Sequence, residues 1–203
     1  MEKYMSFKQL AAKERLNGDY RIRTEQRDSS VLVIAPHGGG IEPGTSEIAE
    51  AIAATDFSYY LFEGLKGSGN RDLHITSTSF DEPRALALLD ASDTALAIHG
   101  EDSDVVLVFL GGRDAVLVAR IEQSLREIGF QPAKHSNSQL QGCSPENVCN
   151  RCASKAGVQM EIPKGLRKRF FKSLDRTGRS VRTNEFSKFV SAVRKALHPN
   201  GGF

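Results

Sequence analysis

The run Val31-Leu32-Val33-Ile34-Ala35-Pro36-His37-Gly38-Gly39-Gly40-Ile41-Glu42-Pro43-Gly44 constrains this chain more than any other segment. Its apolar half predicts a strand buried on both faces. Its glycine half predicts a turn with no side chains in the way. An imidazole and a carboxylate therefore stand at the carboxyl end of a core strand, where open α/β sheets bind their ligands. A second apolar run, Ala95-Leu96-Ala97-Ile98, ends in His99 and again in a glycine. Two histidines and one glutamate, His37, Glu42 and His99, match the ligand set of a catalytic zinc site whose fourth position is open to water. Each has a plainer reading alone: a histidine after a strand as a polar loop residue, a glutamate near a helix start as a partner of its dipole. The three together, at strand ends flanked by glycines, favour the metal.

The remaining periodicity predicts the scaffold. Helices are expected over 6–17, about 45–54, 83–89, 113–128, 163–173 and 183–197, with strands at 31–36, 59–64, 73–77, 94–98, 105–110 and 157–162. Thr45 or Ser46 is the expected N-cap of the second helix, and Pro83 suits the first turn of the third. Val116, Ile121, Leu125 and Ile128 are the expected inner face of helix 113–128. Phe186, Phe189, Val190, Val193 and Leu197 form that of the last helix. Strands alternating with helices predict one α/β domain over residues 1–203, with an open, mixed, mostly parallel sheet covered by helices on both faces. Residues 135–156 are polar and read as a long loop with one short helical turn, a length that is often functional.

A chain of 203 residues suits one good core. Its formal net charge of +2 creates no global field toward nucleic acid. No apolar run is long enough to span a membrane, and Met1–Lys8 lacks the apolar core of a secretory signal. The expectation is a soluble cytoplasmic monomer with no nucleic-acid or membrane partner, leaving a cell by phage-type lysis. An odd set of three cysteines, Cys143, Cys149 and Cys152, does not read as a disulfide framework without a signal peptide. No second Cys/His pair completes a zinc knuckle with Cys149-x-x-Cys152, so free thiols are expected there.

Glu161 lies between Met160 and Ile162 in the late strand. A carboxylate buried there is costly without a purpose, and the purpose would be general acid–base work beside a metal. Simple alternation, with Gln159 and Glu161 on a solvated face, is an equally good reading of the same residues. Asn70-Arg71, Arg84 and Arg113 each sit near a strand-to-helix turn. Arginine holds carboxylates bidentately, so an acidic substrate is one use for them and ordinary surface charge is the other. Arg151 and Lys155 are weaker candidates.

With these residues in view, the chain resembles the poly-γ-glutamate hydrolase family of bacteriophages and Bacillus prophages. The matching pieces are Ala35–Thr45, Thr76–Pro83, Ala97–Gly100, Gly111–Asp114 and Gln159–Pro163. The family is similar to zinc carboxypeptidases. The resemblance implies zinc held by His37, Glu42 and His99, with Glu161 as the catalytic carboxylate. Asn70 and Arg71 look like the pair with which carboxypeptidases hold a substrate carboxylate. The implied reaction is hydrolysis of γ-glutamyl amide bonds in a polyanionic polymer. Glu161 would move the proton, Arg71 or Arg113 would offset developing charge, and the other arginines would hold α-carboxylates. The cysteine cluster matches nothing in the family's chemistry.

Three rivals remain on sequence grounds. One is a zinc amidase acting on the γ-glutamyl bonds of peptidoglycan peptides. Another is a non-catalytic module that binds polyanions. The third is a serine esterase, because His37-Gly38-Gly39-Gly40 resembles an oxyanion-hole motif, but the Gly-x-Ser-x-Gly elbow that such a fold requires is missing.

Overall fold

A computed structural model describes residues 2–198. Seven strands form one sheet: β1 (Tyr20–Glu25), β2 (Val31–Gly39), β3 (Ser58–Gly64), β4 (Thr94–Glu101), β5 (Val108–Gly112), β6 (Pro132–Ala133) and β7 (Val158–Pro163). Their order is β1-β3-β2-β4-β7-β5-β6. The pairs β2–β3, β2–β4, β4–β7 and β5–β6 are parallel, while β1–β3 and β5–β7 are antiparallel. The sheet is therefore mixed and mostly parallel. Six helices surround it: α1 (Phe7–Ala11), α2 (Thr45–Ala53), α3 (Pro83–Asp90), α4 (Ala115–Glu127), α5 (Lys164–Phe170) and α6 (Asn184–Leu197).

The central strands β2, β3 and β7 are buried along their whole length, β7 despite carrying Gln159 and Glu161. Two hydrophobic clusters follow from this. One joins α2, α4, α5 and α6 to one face through Ile48, Ile121, Phe170 and Phe189. The other packs Leu10, Phe62, Phe80, Leu89 and Val148 on the opposite face. Side-chain caps set several helix starts: Glu82 accepts from the backbone of Arg84 and Ala85, Asp114 from Leu117, and Thr183 from Phe186.

The structure departs from the sequence reading in several places. The second helix is capped by Gly44, not by Thr45 or Ser46. Gly44 takes φ 104°, a left-handed conformation that suits glycine, and both hydroxyl residues lie inside α2. Residues 73–77 form no strand; a 3₁₀ turn covers Asn70–Leu73, and the segment beyond it runs irregularly. Helix α1 stops at Ala11 instead of running to 17. Strand β1 was not expected at all. On α4, Val116 and Ile128 are exposed, and Leu117 joins Ile121 and Leu125 in the core. The polar loop of 135–156 holds two 3₁₀ turns, Ser138–Leu140 and Val148–Arg151.

All three cysteines are free; Cys143 is exposed, and Cys149 and Cys152 are buried. Burial pushes the Cys149 thiol well above its ordinary pKa, so its reactive thiolate is scarce. Titration of the native protein with an aromatic disulfide reagent is expected to label Cys143 rapidly and the other two only after denaturation. Rapid labelling of all three in folded protein would contradict this packing.

Candidate metal centre

The site is built at the carboxyl ends of β2, β4 and β7. β2 pairs regularly with β3 as far as Ala35, and the register then shifts before Gly38. Pro36, which has no N–H to donate, sits at this irregularity, and such a bulge re-aims the next side chain. His37 follows. The chain then doubles back, with the N–H of Glu42 donating to the His37 carbonyl at 2.9 Å. This turn carries Glu42 to His99, at the end of β4.

His37, Glu42 and His99 are all buried, and one donor atom from each lies within 4.8 Å of the others. His37 Nδ1 is 3.1 Å from His99 Nδ1 and 3.3 Å from Glu42 Oε1. His99 Nδ1 is 3.9 Å from Glu42 Oε2. Ligands tetrahedrally placed about 2.1 Å from one zinc ion would be spaced by ~3.4 Å. His37 Nε2 lies 2.7 Å from the Ile75 carbonyl. A carbonyl only accepts, so Nε2 carries a proton and Nδ1 is the ring atom that faces Glu42 and His99; a backbone carbonyl on the other nitrogen is the support typical of metal-bound histidine. Glu42 Oε2 is fixed by the Gly100 N–H at 2.7 Å.

The protonation states agree with this arrangement. Burial would raise the Glu42 carboxyl, but His37, His99 and the Gly100 N–H outweigh it and hold its pKa at about 2. Burial, with His37 alongside, pulls His99 down to about 3. An ionised Glu42 carboxylate and a neutral His99 imidazole at neutral pH are forms that ligate zinc. The donor set fits that metal.

Glu161 stands directly across the β4–β7 ladder from His99. β7 is buried on both faces, so the solvated-face reading of Gln159 and Glu161 does not hold. Desolvation, reinforced by the charges of Glu42 and Glu101, raises the Glu161 pKa well above the ordinary carboxylate range. Its Oε1 accepts from Gln159 Nε2 at 2.9 Å. That amide also donates to the Leu140 carbonyl, and its Oε1 accepts from Asn147. The polar loop therefore fixes the carboxylate through Gln159.

A cavity of about 360 Å³ gathers His37, Glu42, His99, Glu161 and Arg71. It also contains His74, which the sequence reading missed. His74 stacks on His37 with ring centroids 3.8 Å apart and is held by Glu2 at 2.7 Å. Asn70 does not line this cavity; its side chain accepts from the Lys66 N–H and donates to the Lys66 carbonyl. Arg84 is bound to Glu82, and Arg113 is exposed; neither lines the cavity. Arg167, also unforeseen, is buried beside the site. Its guanidinium donates to the carbonyls of Pro43, Glu101 and Ile162 at 2.6, 3.0 and 2.9 Å.

An open α/β sheet with a buried His-Glu-His cluster in a cleft defines the class: a fold bearing a three-ligand candidate metal centre. Within that class the chain belongs to the poly-gamma-glutamate hydrolase family, whose model matches residues 4–192. It is 38% identical over 98% of its length to the SPbeta prophage-derived protein YoqZ of Bacillus subtilis, covering 73% of that protein. It is 39% identical to YndL of the same organism, covering 96% of this chain and 77% of YndL. Among solved structures it matches a bacteriophage poly-gamma-glutamate hydrolase with a TM-score of 0.94 at 33% identity, over 97% of both chains. It matches the zinc-free apo form of YndL with a TM-score of 0.92 at 36% identity, over 97% and 98% of the two chains. An N-formylglutamate amidohydrolase from Ralstonia eutropha, at 14% identity and a TM-score of 0.51, shares the fold alone. The resemblance drawn from the motifs is borne out.

Replacing Arg167 by methionine removes the donor shared by three carbonyls, that of buried Ile162 and those of half-buried Pro43 and Glu101. The expected loss is about 3 kcal/mol or more of folding stability, read from urea denaturation. A variant as stable as the parent would show that this cation does not organise the site.

Proposed function

We propose that this protein is a zinc-dependent hydrolase that cleaves γ-glutamyl amide bonds of poly-γ-glutamate, with His37, Glu42 and His99 as the zinc ligands. The observation that carries this reading is the convergence, in one cavity, of three ligand-ready side chains and a buried carboxylate opposite one of them. Family membership supports the substrate, and a relative whose apo form is specified as zinc-free supports the metal.

Bound zinc would supply Lewis acidity, acidifying water and polarising the scissile carbonyl. The chain's own residues do the rest. Glu161 takes the water proton and returns it to the leaving amine. Its Oε1 is engaged by Gln159, so the transfer falls to Oε2. Arg71, on the cavity rim, offsets negative charge on the carbonyl oxygen or grips a neighbouring α-carboxylate. Asn70 supports it by closing the Lys66–Asn70 loop. This narrows the substrate-binding role, among Asn70, Arg71, Arg84 and Arg113, to Arg71 as the direct contact.

Poly-γ-glutamate incubated with the protein is expected to shorten on size-exclusion analysis. Shortening should stop with a chelator and return with zinc. Glu161→Gln should bind one zinc per chain by equilibrium dialysis while losing about 10²–10⁴-fold in rate. Unshortened polymer from folded, zinc-loaded protein would overturn the proposal.

A further inference from the structure

Beyond the metal centre lies a second charged cavity, of about 460 Å³, and its lining is dominated by arginine. Arg21, Arg176, Arg179 and Arg182 face it, against two carboxylates, Glu47 and Glu63. The four guanidinium groups exceed the two acids by two charges. Each acid is paired with an arginine: Glu63 accepts from Arg21 Nε at 2.5 Å, and Glu47 Oε1 from Arg179 Nε at 2.7 Å, while Glu47 Oε2 is buried without a hydrogen-bond partner. Arg176 and Arg182 are exposed. Arg176 is steadied by the Leu65 carbonyl at 2.8 Å, and Arg182 lies 4.9 Å over the Phe186 ring. A carbonyl or a ring positions a guanidinium without neutralising it. The cavity thus holds oriented, uncompensated cations, the chemistry that recognises carboxylates bidentately.

Its location relates it to the metal cavity. Gly39 and Gly64, at the carboxyl ends of β2 and β3, line the arginine cavity, and His37 lies two residues before Gly39. One segment, residues 65–71, contributes to the lining of both cavities. Leu65 faces the arginine cavity, and Arg71 faces the metal cavity. Six residues of chain reach at most about 20 Å, and the Asn70 clamp folds this segment shorter still. A polymer lying across it would meet Arg71 on one side and Arg176 on the other.

We propose that the Arg21, Arg176, Arg179 and Arg182 cavity is a second, non-catalytic site that binds α-carboxylates of the same polyanionic chain, displaced along it from the scissile bond. This rests on the substrate assigned above. Its consequence is a preference for long chains, because a polymer engaged at both sites gains affinity through effective concentration.

The test uses direct binding, so it does not depend on turnover. Fluorescently labelled poly-γ-glutamate is titrated with the full chain carrying Glu161→Gln, and anisotropy is followed. Adding Arg176→Gln and Arg182→Gln together is expected to weaken binding about tenfold. Arg176→Lys with Arg182→Lys should recover part of that loss. Lys188→Gln with Lys195→Gln, which removes the same charge from α6, should leave affinity unchanged. Equal affinity in the arginine-to-glutamine variant, equal weakening in the lysine control, or no binding by the parent would each overturn the proposal. A wild-type, zinc-loaded chain that binds polymer without shortening it would count against the catalytic reading alone.

Discussion

One buried cation ties the site together. Arg167 projects from α5 and donates to three carbonyls from separate parts of the chain. Pro43 follows Glu42, Glu101 lies two residues after His99, and Ile162 follows Glu161. A single guanidinium therefore locks the β2–α2 turn, the end of β4 and the end of β7 against one another. Burying a charge is costly unless its donors are satisfied, and here three are. The arrangement also explains Gly100. A Cβ there would lie 2.8 Å from Arg167 Cζ and 2.9 Å from Glu42 Cβ, so both the cation and the ligand need that position bare.

Much of this was legible in the sequence, for identifiable reasons. β2 and β4 are buried along nearly all their length, so their apolar runs stood out, with His37 and His99 at the ends of those runs; β7, which alternates with Gln159 and Glu161, left the orientation of Glu161 open. β1 was hidden because Tyr20–Glu25 is an edge strand whose Arg21 and Arg23 reach out to Glu63 and Glu50. Leu73-His74-Ile75 alternates like a strand, and both apolar residues are indeed buried. No neighbouring strand pairs with it, and pairing is what local alternation cannot report. On α4 the spacing pointed to Val116 and Ile128 as inner residues, whereas packing against β5 and α6 buries Leu117 with Ile121 and Leu125 and leaves those two exposed.

The site residues divide similarly. A strand end marks a residue in the sequence; a long-range contact does not. His74 sits in irregular chain, and only stacking on His37 brings it in. Gln159 seemed a plain alternating polar residue until its bonds to Glu161 and Asn147 appeared. The arginines were the least legible, because an arginine near a turn has the same local signature whether it caps a carboxylate, as Arg84 does, or lines a cavity, as Arg71 does.

The route from Glu161 through Gln159 to Leu140 and Asn147 separates two properties of the molecule. His37, Glu42 and His99 are held by strands and a buried cation, but the Glu161 carboxylate is tied through Gln159 to a loop outside the sheet. Substitutions in that loop can move the Glu161 carboxylate while every strand keeps its register. The aim of that carboxylate and the endurance of the sheet are governed by different stretches of chain and are free to drift apart.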